Sequence, residues 1–378
     1  MQQFYILTLG LLFASKAAYA TTSTSVSCSP TTVVVNQGTT CTATVTDTDN
    51  SLAGADPSGT VSFSLDAGSG SFSGSPCTLT GIGGGQSQCQ ATYTPDRGAV
   101  STHTARATYV PGADTASLGT TNVTVNLRST TTDVSCSPSS VFINQGSTCT
   151  ITVTDTAAGT ALTPSGTVTL TSSQTGDTGH NGTCSLSGGG GSASCDVTLT
   201  PQSPAGARNV GASFPASSNH AASSDGSPFS LTANLRTTTT SVSCASPVVV
   251  NQGSTCTATV TDTATGTASS PTGTVSFTNT GSQGSGAFSS GSCTLSSSGA
   301  NTAQCSVTYT PSTANSAGGG ASGSHSVQAN YGGSTVHATS NGSTSITVNA
   351  RDVKTEISCA FDFAPNYVRA GNGKSCTG

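Results

Sequence analysis

The chain has 378 residues, but only 10 are Lys or Arg and 15 are Asp or Glu, which gives a net charge of −5 and a pI near 5.3. No basic run and no interleaving of Arg with aromatic residues offers an electrostatic footprint for a phosphate backbone, so we expect no nucleic-acid partner. Nothing in the composition predicts a helix that lies on a membrane surface.

The first twenty residues predict a secretory signal. An apolar run extends from Phe4 to Ala14, and Ala18, Tyr19 and Ala20 form an A-x-A cleavage site. The only positive charge before the run is the terminal amine, and Lys16 follows the run, so an uncleaved anchor is the alternative. Cleavage predicts a mature chain that is secreted or held at the cell surface, with no membrane insertion.

One phrase recurs along the rest of the chain: NQGTTCTATVTDT begins at Asn36 and returns nearly unchanged at Asn144 and Asn251. Self-similarity at a fixed period is the signature of modules in series. The copies predict a signal peptide at 1–20, full repeats at 21–128, 129–236 and 237–350, and the truncated start of a fourth repeat at 351–378. The linkers are short, so we expect consecutive repeats to lie end to end as a rod.

Within a repeat the apolar residues alternate with polar ones, which is the period of a strand with one buried face. In the first repeat Cys41, Ala43 and Val45 share one face, and the same phase recurs in the runs 61–65, 89–93 and 105–109. Gly, Asn and Pro separate the runs at the spacing of a β-sandwich. The sequence therefore predicts an all-β fold.

The order of these pieces resembles a known family. Each repeat has a Thr-rich start, S-x-P, a turn, a T-x-T-A-T-V-T-D strand and P-x-G-T-V-x-F, and the first continues with H-x-x-x-A-x-Y from His103 to Tyr109. This pattern, over residues 21 to 350, is similar to the bacterial Ig-like repeats found in tandem in secreted and surface proteins. The resemblance implies tandem immunoglobulin-like sandwiches that act as spacer or adhesion modules and carry no catalytic residues.

All fourteen cysteines follow the predicted signal, as is typical of a chain that matures in an oxidising compartment. Zinc is the competing interpretation, but no C-x-x-C occurs and the closest pair, Cys184 and Cys195, is eleven positions apart. We predict that the cysteines form disulfides; they are Cys28, Cys41, Cys77, Cys89, Cys136, Cys149, Cys184, Cys195, Cys244, Cys256, Cys293, Cys305, Cys359 and Cys376.

Four cysteines in a repeat allow three connectivities. If the strand assignment of the resembled family applies, the four lie on strands A, B, D and E of one sheet, and only A with B plus D with E joins neighbouring strands in both bridges. The resemblance thus implies Cys28 with Cys41, Cys77 with Cys89, and the equivalent pairs elsewhere. The run Val33 to Val35 falls between the first two cysteines, so it must leave the sheet as a loop or cross to the other sheet.

Two further features concern the same bridges. The symmetric segment CSLSGGGGSASC, from Cys184 to Cys195, predicts a hairpin that sets these two sulfurs opposite each other. The chain has no Trp, and the strand that carries the second bridging cysteine in antibody domains has none here, around Ala105, Val210 and Val327. We therefore expect no bridge between the two sheets.

No residue pattern predicts a catalytic, cofactor or metal site. Of the histidines, His103 and His325 alone occupy matching repeat positions, and we interpret them as strand-edge residues; the others are His180, His220 and His337. No nucleophile elbow supports a Ser-His-Asp triad. A calcium site would need the first repeat, where Asp47, Asp49 and Asp56 cluster, because the other copies keep only Asp155 and Asp262.

The sequence therefore predicts a non-enzymatic structural array, related to adhesion, whose partner is a protein or glycan at a cell surface and which is itself monomeric. Two alternatives stay open: a carbohydrate-binding adhesin, and the stalk of a larger secreted hydrolase. The last segment, from Asp352 to Gly378, contains too few strands to bury a sandwich core. We expect it to be poorly ordered or held only by a bridge between Cys359 and Cys376.

Overall fold

The computed structural model describes residues 21–49, 55–98, 102–111, 114–281, 284–315 and 321–352. Every regular element in these ranges is a β-strand, so the all-β prediction is confirmed. Within the same ranges no helix has the length and apolar character needed to cross a bilayer. The predicted signal at 1–20 and the predicted bridge of Cys359 with Cys376 lie outside the described residues.

Each full repeat contributes ten of the strands found in the described ranges. Those of the first repeat are β1 (Thr22–Ser29), β2 (Thr32–Val34), β3 (Thr39–Asp47), β4 (Gly59–Ala67), β5 (Gly70–Ser73), β6 (Cys77–Thr78), β7 (Thr80–Gly81), β8 (Gln86–Pro95), β9 (Thr102–Pro111) and β10 (Leu118–Asn126). Those of the second are β11 (Thr130–Ser137), β12 (Ser140–Phe142), β13 (Ser147–Asp155), β14 (Thr167–Ser172), β15 (Thr183–Ser185), β16 (Ser187–Gly189), β17 (Ser192–Leu199), β18 (Gly206–Phe214), β19 (Ser223–Ser224) and β20 (Phe229–Asn234). Those of the third are β21 (Thr238–Cys244), β22 (Val248–Val249), β23 (Ser254–Asp262), β24 (Thr274–Asn279), β25 (Gly286–Phe288), β26 (Ser292–Thr294), β27 (Ser296–Ser297), β28 (Thr302–Pro311), β29 (Ser322–Tyr331) and β30 (Ser340–Asn349).

The chain divides into two compact units. The first unit holds most of the first and second repeats, and its segments are Met1–Val141, Gly146–Pro201 and Ala207–Thr232. The second unit holds the third repeat together with two short pieces of earlier sequence, and its segments are Phe142–Gln145, Gln202–Gly206 and Ala233–Gly378. The piece 142–145 carries the NQ of the second NQG phrase.

The first repeat is a sandwich of two sheets. One sheet has the order β1-β3-β8-β5, with β7 also paired to β8, and the other has the order β2-β10-β9-β4-β6. These are the ABED and CFG sheets of the immunoglobulin fold. Strand β2 runs parallel to β10, so the segment around Val33 crosses to the second sheet, which is one of the two routes that the sequence left open. The third repeat has the same plan, and the second differs only in lacking a counterpart of β5 among its described strands and in gaining β19, which pairs with β18.

The predicted alternation places the core between the sheets. Cys41, Ala43 and Val45 are fully buried on β3, and Tyr93 and Tyr109 bring the largest buried rings of this repeat. The opposite face of β3 carries threonines, three of which accept hydrogen bonds from glutamine side chains on β8. Small Ala, Val and Cys side chains fill most of the core, as the composition predicts.

The NQG phrase forms a tight turn before β3. Asn36 has a φ of 61°, in the left-handed region that Asn tolerates better than most residues. The Gln37 side-chain Oε1 accepts a hydrogen bond from the Val34 amide at 3.0 Å and so closes the turn. This turn lies at the end of the sandwich where the chain leaves for the next repeat, since the Val35 amide donates to the Asn126 carbonyl.

The disulfides divide into two kinds. Cys28 and Cys41 are direct cross-strand partners on β1 and β3, with an S–S distance of 2.00 Å. Cys77 bonds to Cys89, but Cys77 lies on β6, which pairs with β4 in the second sheet, whereas β8 belongs to the first sheet. The equivalent pairs are Cys136–Cys149 and Cys184–Cys195 in the second repeat and Cys244–Cys256 and Cys293–Cys305 in the third.

The second bridge of each repeat therefore joins the two sheets, and the expectation that no such bridge exists is wrong. Its placement on neighbouring strands of one sheet is wrong too. In the second repeat Cys184 is opposite Val168 on β14, while the hairpin of β16 and β17 begins only at Ser187, opposite Ser194. Alternation identifies a buried face, but both sheets bury the same kind of face, so it cannot tell on which sheet a short strand lies.

Candidate functional site

The carboxylates that suggested calcium have structural roles in the first repeat. Asp56 accepts hydrogen bonds from the amides of Gly83 and Gly85, at 2.9 and 3.1 Å, and so supports the glycine turn between β7 and β8. Asp49 accepts one from the Thr21 amide at 3.1 Å. Across the described ranges no group of three or more His, Cys, Asp or Glu side chains could hold a metal ion.

The two histidines at matching positions are buried, so their interpretation as strand-edge residues is wrong. His103 and His325 are 1 % and 0 % exposed, and each contacts a buried tyrosine of the facing sheet. The Tyr93 hydroxyl is 2.5 Å from Nδ1 of His103, and the Tyr309 hydroxyl is 2.8 Å from Nδ1 of His325. Burial, with a contribution from Asp96, raises the pKa of Tyr93 to about 12, so this corner holds a neutral phenol.

The second repeat fills the same corner with different chemistry. Leu199 takes the place of the tyrosine, opposite the first residue of β13, and Arg208 takes the place of the histidine on β18. The Arg208 Nε donates to the Asp177 carboxylate at 3.0 Å, and both side chains are almost fully buried. Ser172 donates a further hydrogen bond to that carboxylate at 2.8 Å. A hydrogen-bonded ion pair thus replaces a neutral Tyr-His pair.

A second buried ion pair lies where the first repeat meets the second, inside the first unit. Arg128, which ends the NLR of the first repeat, is 0 % exposed. Its Nε donates to Asp155 at 2.5 Å, its Nη1 to the Val35 carbonyl at 2.6 Å, and its Nη2 to the Ala157 carbonyl at 3.2 Å. One guanidinium therefore bonds the turn that precedes β3 in the first repeat and the end of β13 in the second. We call this group of residues the joint.

The Asp155 carboxylate is the other half of the joint. Burial acts to raise its pKa, but hydrogen bonds from Arg128 and from the amides of Leu162 and Ala157 outweigh burial and hold the pKa below its ordinary value. Those amides lie 2.8 and 3.0 Å from the carboxylate oxygens. The group is therefore ionised at neutral pH, and Arg128 and the two amides supply its hydrogen bonds.

A histidine completes the joint. His220 is 2 % exposed, and its Nε2 lies 3.1 Å from the Leu162 carbonyl and 3.6 Å from Asp155 Oδ2. The backbone of His220 forms a parallel β-bridge with Arg128. In this bridge the Arg128 amide donates to the Asn219 carbonyl, and the Ala221 amide donates to the Arg128 carbonyl. The His220 ring therefore lies beside the Asp155 carboxylate and is buried together with the ion pair.

The second unit contains an equivalent joint. Arg236 Nε donates to Asp262 at 2.6 Å and its Nη1 to the Ile143 carbonyl at 2.7 Å, with both side chains 0 % exposed. Further bonds from this guanidinium go to carbonyls of the loop after β23, at 3.1 Å each. His337 Nε2 lies 3.5 Å from Asp262, and hydrogen bonds hold the pKa of that carboxyl below its ordinary value against the effect of burial.

No pattern in the sequence predicts the joint. Asp155 and Asp262 enter the sequence-based expectations only as candidate calcium ligands, and the arginines enter none of them. His220 and His337 are expected to be unmatched, but both lie beside the ion pair of a joint, so that expectation is wrong. The chain from the arginine to the histidine differs in length between the two joints, which obscures the match in the sequence.

Comparisons with known proteins leave the identity of the chain open. No family model and no curated protein matches it. Among solved structures it is similar to the Escherichia coli adhesin FdeC (18 % identity, TM-score 0.26, 87 % of this chain and 97 % of that chain). It is also similar to a 1.5-MDa bacterial ice-binding adhesin (14 %, 0.31, 88 % and 99 %) and to a tetra-tandem repeat from the extending region of a large adhesion protein (17 %, 0.38, 86 % and 74 %).

The low TM-scores mean that these likenesses carry no functional argument. The class of the protein follows from its own topology: every full repeat has the two facing sheets of an immunoglobulin-like sandwich. The chain is an array of such sandwiches.

Proposed function

We propose that the chain is a non-enzymatic structural array of Ig-like modules, with boundaries at 21–128, 129–236 and 237–350, that spaces or presents an adhesive element outside the cell. The observation that carries this proposal is the joint. Arg128, Val35 and Asp155 come together only where two modules meet, and the bonds among them are buried.

The energetics of the joint suit a spacer. Removing two opposite charges from water is costly unless they pair and find further hydrogen bonds. Arg128 and Asp155 do both, and the geometry is lost if the modules separate. The surroundings add to the contact: Leu162 packs against the core of the first module, and the Asn36 side chain donates to the Thr160 carbonyl at 3.0 Å. Consecutive modules in the first unit are thus held by specific bonds as well as by the chain that connects them.

Two other features support an extracellular, non-enzymatic role. The six disulfides among the described residues suit a chain that matures in an oxidising compartment, where small cores gain from covalent bridges. The buried groups that could do acid-base chemistry, such as Asp155, His220 and His103, are engaged in contacts within or between modules. The partner expected at a cell surface is a protein or a glycan.

The test of the spacer proposal is a distance distribution within the first unit. Spin labels carried by noncanonical amino acids at the exposed positions Ser73 and Thr171 would report the separation of the first two modules by pulsed electron resonance. We expect one narrow distribution, which broadens in Arg128→Met. Arg106→Met is the matched control, because Arg106 pairs with Asp66 on the surface of a single module. A broad distribution in the unaltered chain contradicts the proposal.

Two further measurements address the alternatives. Small-angle scattering of the whole chain distinguishes an elongated particle, which end-to-end modules predict, from a compact one. A glycan-array screen addresses the carbohydrate-binding adhesin: reproducible binding to one class of sugar, abolished by a single surface substitution, would replace the pure spacer with that alternative.

A further inference from the structure

The NQG turn has the same conformation in all three repeats. Its asparagines Asn36, Asn144 and Asn251 have φ of 61°, 62° and 63°. In each copy the glutamine side chain accepts a hydrogen bond from the amide three residues earlier, at 3.0, 2.9 and 3.1 Å. The turn is therefore formed by its own residues, whatever lies beside it.

In the first two copies a loop of the following module covers this turn. Gly159 lies so close to Asn36 that a Cβ there would be 3.3 Å from the Asn36 carbonyl oxygen. Within the second unit, the Thr267 amide donates to the Asn144 carbonyl at 2.9 Å, and a Cβ on Gly266 would come within 2.7 Å of the same oxygen. Both asparagines are accordingly only partly exposed.

The third copy has the same parts with their surface open. Asn251 and Gln252 are exposed. Arg351 Nε donates to the Val250 carbonyl at 2.9 Å. This carbonyl is the equivalent of those of Val35 and Ile143, which Arg128 and Arg236 bond through Nη1 while their Nε atoms donate to aspartate. Unlike those two arginines, Arg351 is exposed. The arginine already contacts the turn through Nε, the atom that donates to aspartate in the complete joints, and the described residues around it include no aspartate in the position of Asp155 or Asp262.

We propose that Arg351 and the turn Asn251–Gly253 form a docking surface for one further Ig-like module that follows Arg351 in the same polypeptide. That module supplies an aspartate at the end of its second long strand and a glycine in the next loop, as Asp155 with Gly159 and Asp262 with Gly266 do. This inference rests on the proposed spacer function and adds the chemistry of the next partner.

The occupant is chosen by the geometry of the two complete joints. In both, the aspartate ends the second strand of the first antiparallel strand pair after the arginine. The chain that follows the arginine therefore places the carboxylate beside it. The exposed turn presents the Asn251 carbonyl, the equivalent of the Asn144 carbonyl that accepts from the Thr267 amide. The exposed Arg351 guanidinium presents N–H donors suited to a carboxylate. A module of the same kind brings both at the required spacing. A second copy of the chain, docking through Asp47 of its first module, is the competing occupant.

The experiment extends the chain and follows the arginines by chemical modification. In one protein a second copy of residues 237–350 is joined directly after Arg351; the other protein is the 378-residue chain. Both are treated with phenylglyoxal under native conditions, and each arginine is quantified by mass spectrometry. We expect Arg351 to react readily in the 378-residue chain and at least about tenfold more slowly in the extended protein, because a buried joint must open before it reacts. Arg128 and Arg236 are the protected references, and Arg97 is the exposed one.

The control changes only the new carboxylate. Asp262→Asn in the appended copy is expected to restore the reactivity of Arg351, while the same substitution in the original copy is expected to expose Arg236 and so validates the readout. Equal reactivity of Arg351 in the two proteins would overturn the proposal, as would protection that survives the Asn substitution. Protection of Arg351 in the 378-residue chain that grows with protein concentration would assign the surface to a second copy. None of these outcomes alters the spin-label distances between the first two modules, so the proposed function is tested independently.

Discussion

Replacing Arg128 by methionine tests how much the joint stabilises the first unit. Methionine keeps most of the aliphatic volume but removes the guanidinium, so the Asp155 carboxylate loses its ionic partner and the Val35 carbonyl loses the donor at 2.6 Å. Both side chains of the pair are 0 % exposed, so water does not take the place of the lost partner without a rearrangement.

The expected cost follows from the fate of the buried carboxylate. Breaking one side of a fully buried ion pair typically costs about 3–5 kcal/mol. The variant can avoid a buried unpaired charge by protonating Asp155, which at pH 7 costs about 4 kcal/mol for a group of ordinary pKa near 3.9. Protonation therefore limits the loss of stability to the same range of about 3–5 kcal/mol. The control, Arg106→Met, removes a pair whose side chains are 41 % and 31 % exposed and is expected to cost less than about 1 kcal/mol.

The assay is unfolding in guanidinium chloride, followed by circular dichroism. The chain is not expected to unfold in one step, so hydrogen exchange measured on individual peptides assigns each transition to a module. Asp155→Asn in the Arg128→Met background is expected to recover about 1–3 kcal/mol of the loss, as a coupled pair should. A loss below about 1 kcal/mol in Arg128→Met, or one equal to that of Arg106→Met, would refute the reasoning.

Three other outcomes are expected. Hydrogen bonds hold the pKa of Asp155 and Asp262 below the ordinary value, so the stability that these carboxylates contribute is complete above about pH 4 and is lost as the pH falls through their folded-state pKa. The melting temperature should therefore drop in that acidic range, and it should drop less in Asp155→Asn and Asp262→Asn. Tyr309→Phe removes a hydroxyl bonded at 2.8 and 2.9 Å to two buried or part-buried groups and should cost about 1–3 kcal/mol by chemical denaturation; an unchanged midpoint would contradict the corner described above. Non-reducing peptide mapping should recover Cys77 joined to Cys89, and free thiols or another partner would overturn that bridge.

Much of the fold was readable from the sequence because its signal is local. Alternation along β3 predicts the buried face at Cys41, Ala43 and Val45, all of which are 0 % exposed. The length of chain between Cys28 and Cys41 restricted the intervening run to a loop or a crossing, and the crossing is what occurs. Periodicity of two and the reach of a short chain suffice for such inferences.

The joint was not readable because its partners are far apart in sequence. Arg128 and Val35 are separated by 93 positions, and neither belongs to a pattern that signals a contact. His103 has the sequence context of any polar residue at the start of a strand, and only the tyrosine of the facing sheet explains its burial. The sheet of Cys77 depends on a two-residue strand, β6, whose pairing no period can reveal.

The exchange of Tyr and His for Leu199, Arg208 and Asp177 limits how the copies of this gene can recombine. Repeats that share nearly unchanged phrases invite unequal crossing-over. A crossover that falls between codons 177 and 208 would join an arginine to a module without its aspartate, or the aspartate to a module without its arginine. Either product buries an unpaired charge, which a sandwich with so small a core tolerates poorly. The stretch from Ser172, which donates to the Asp177 carboxylate, to Arg208 therefore has to be inherited as one block.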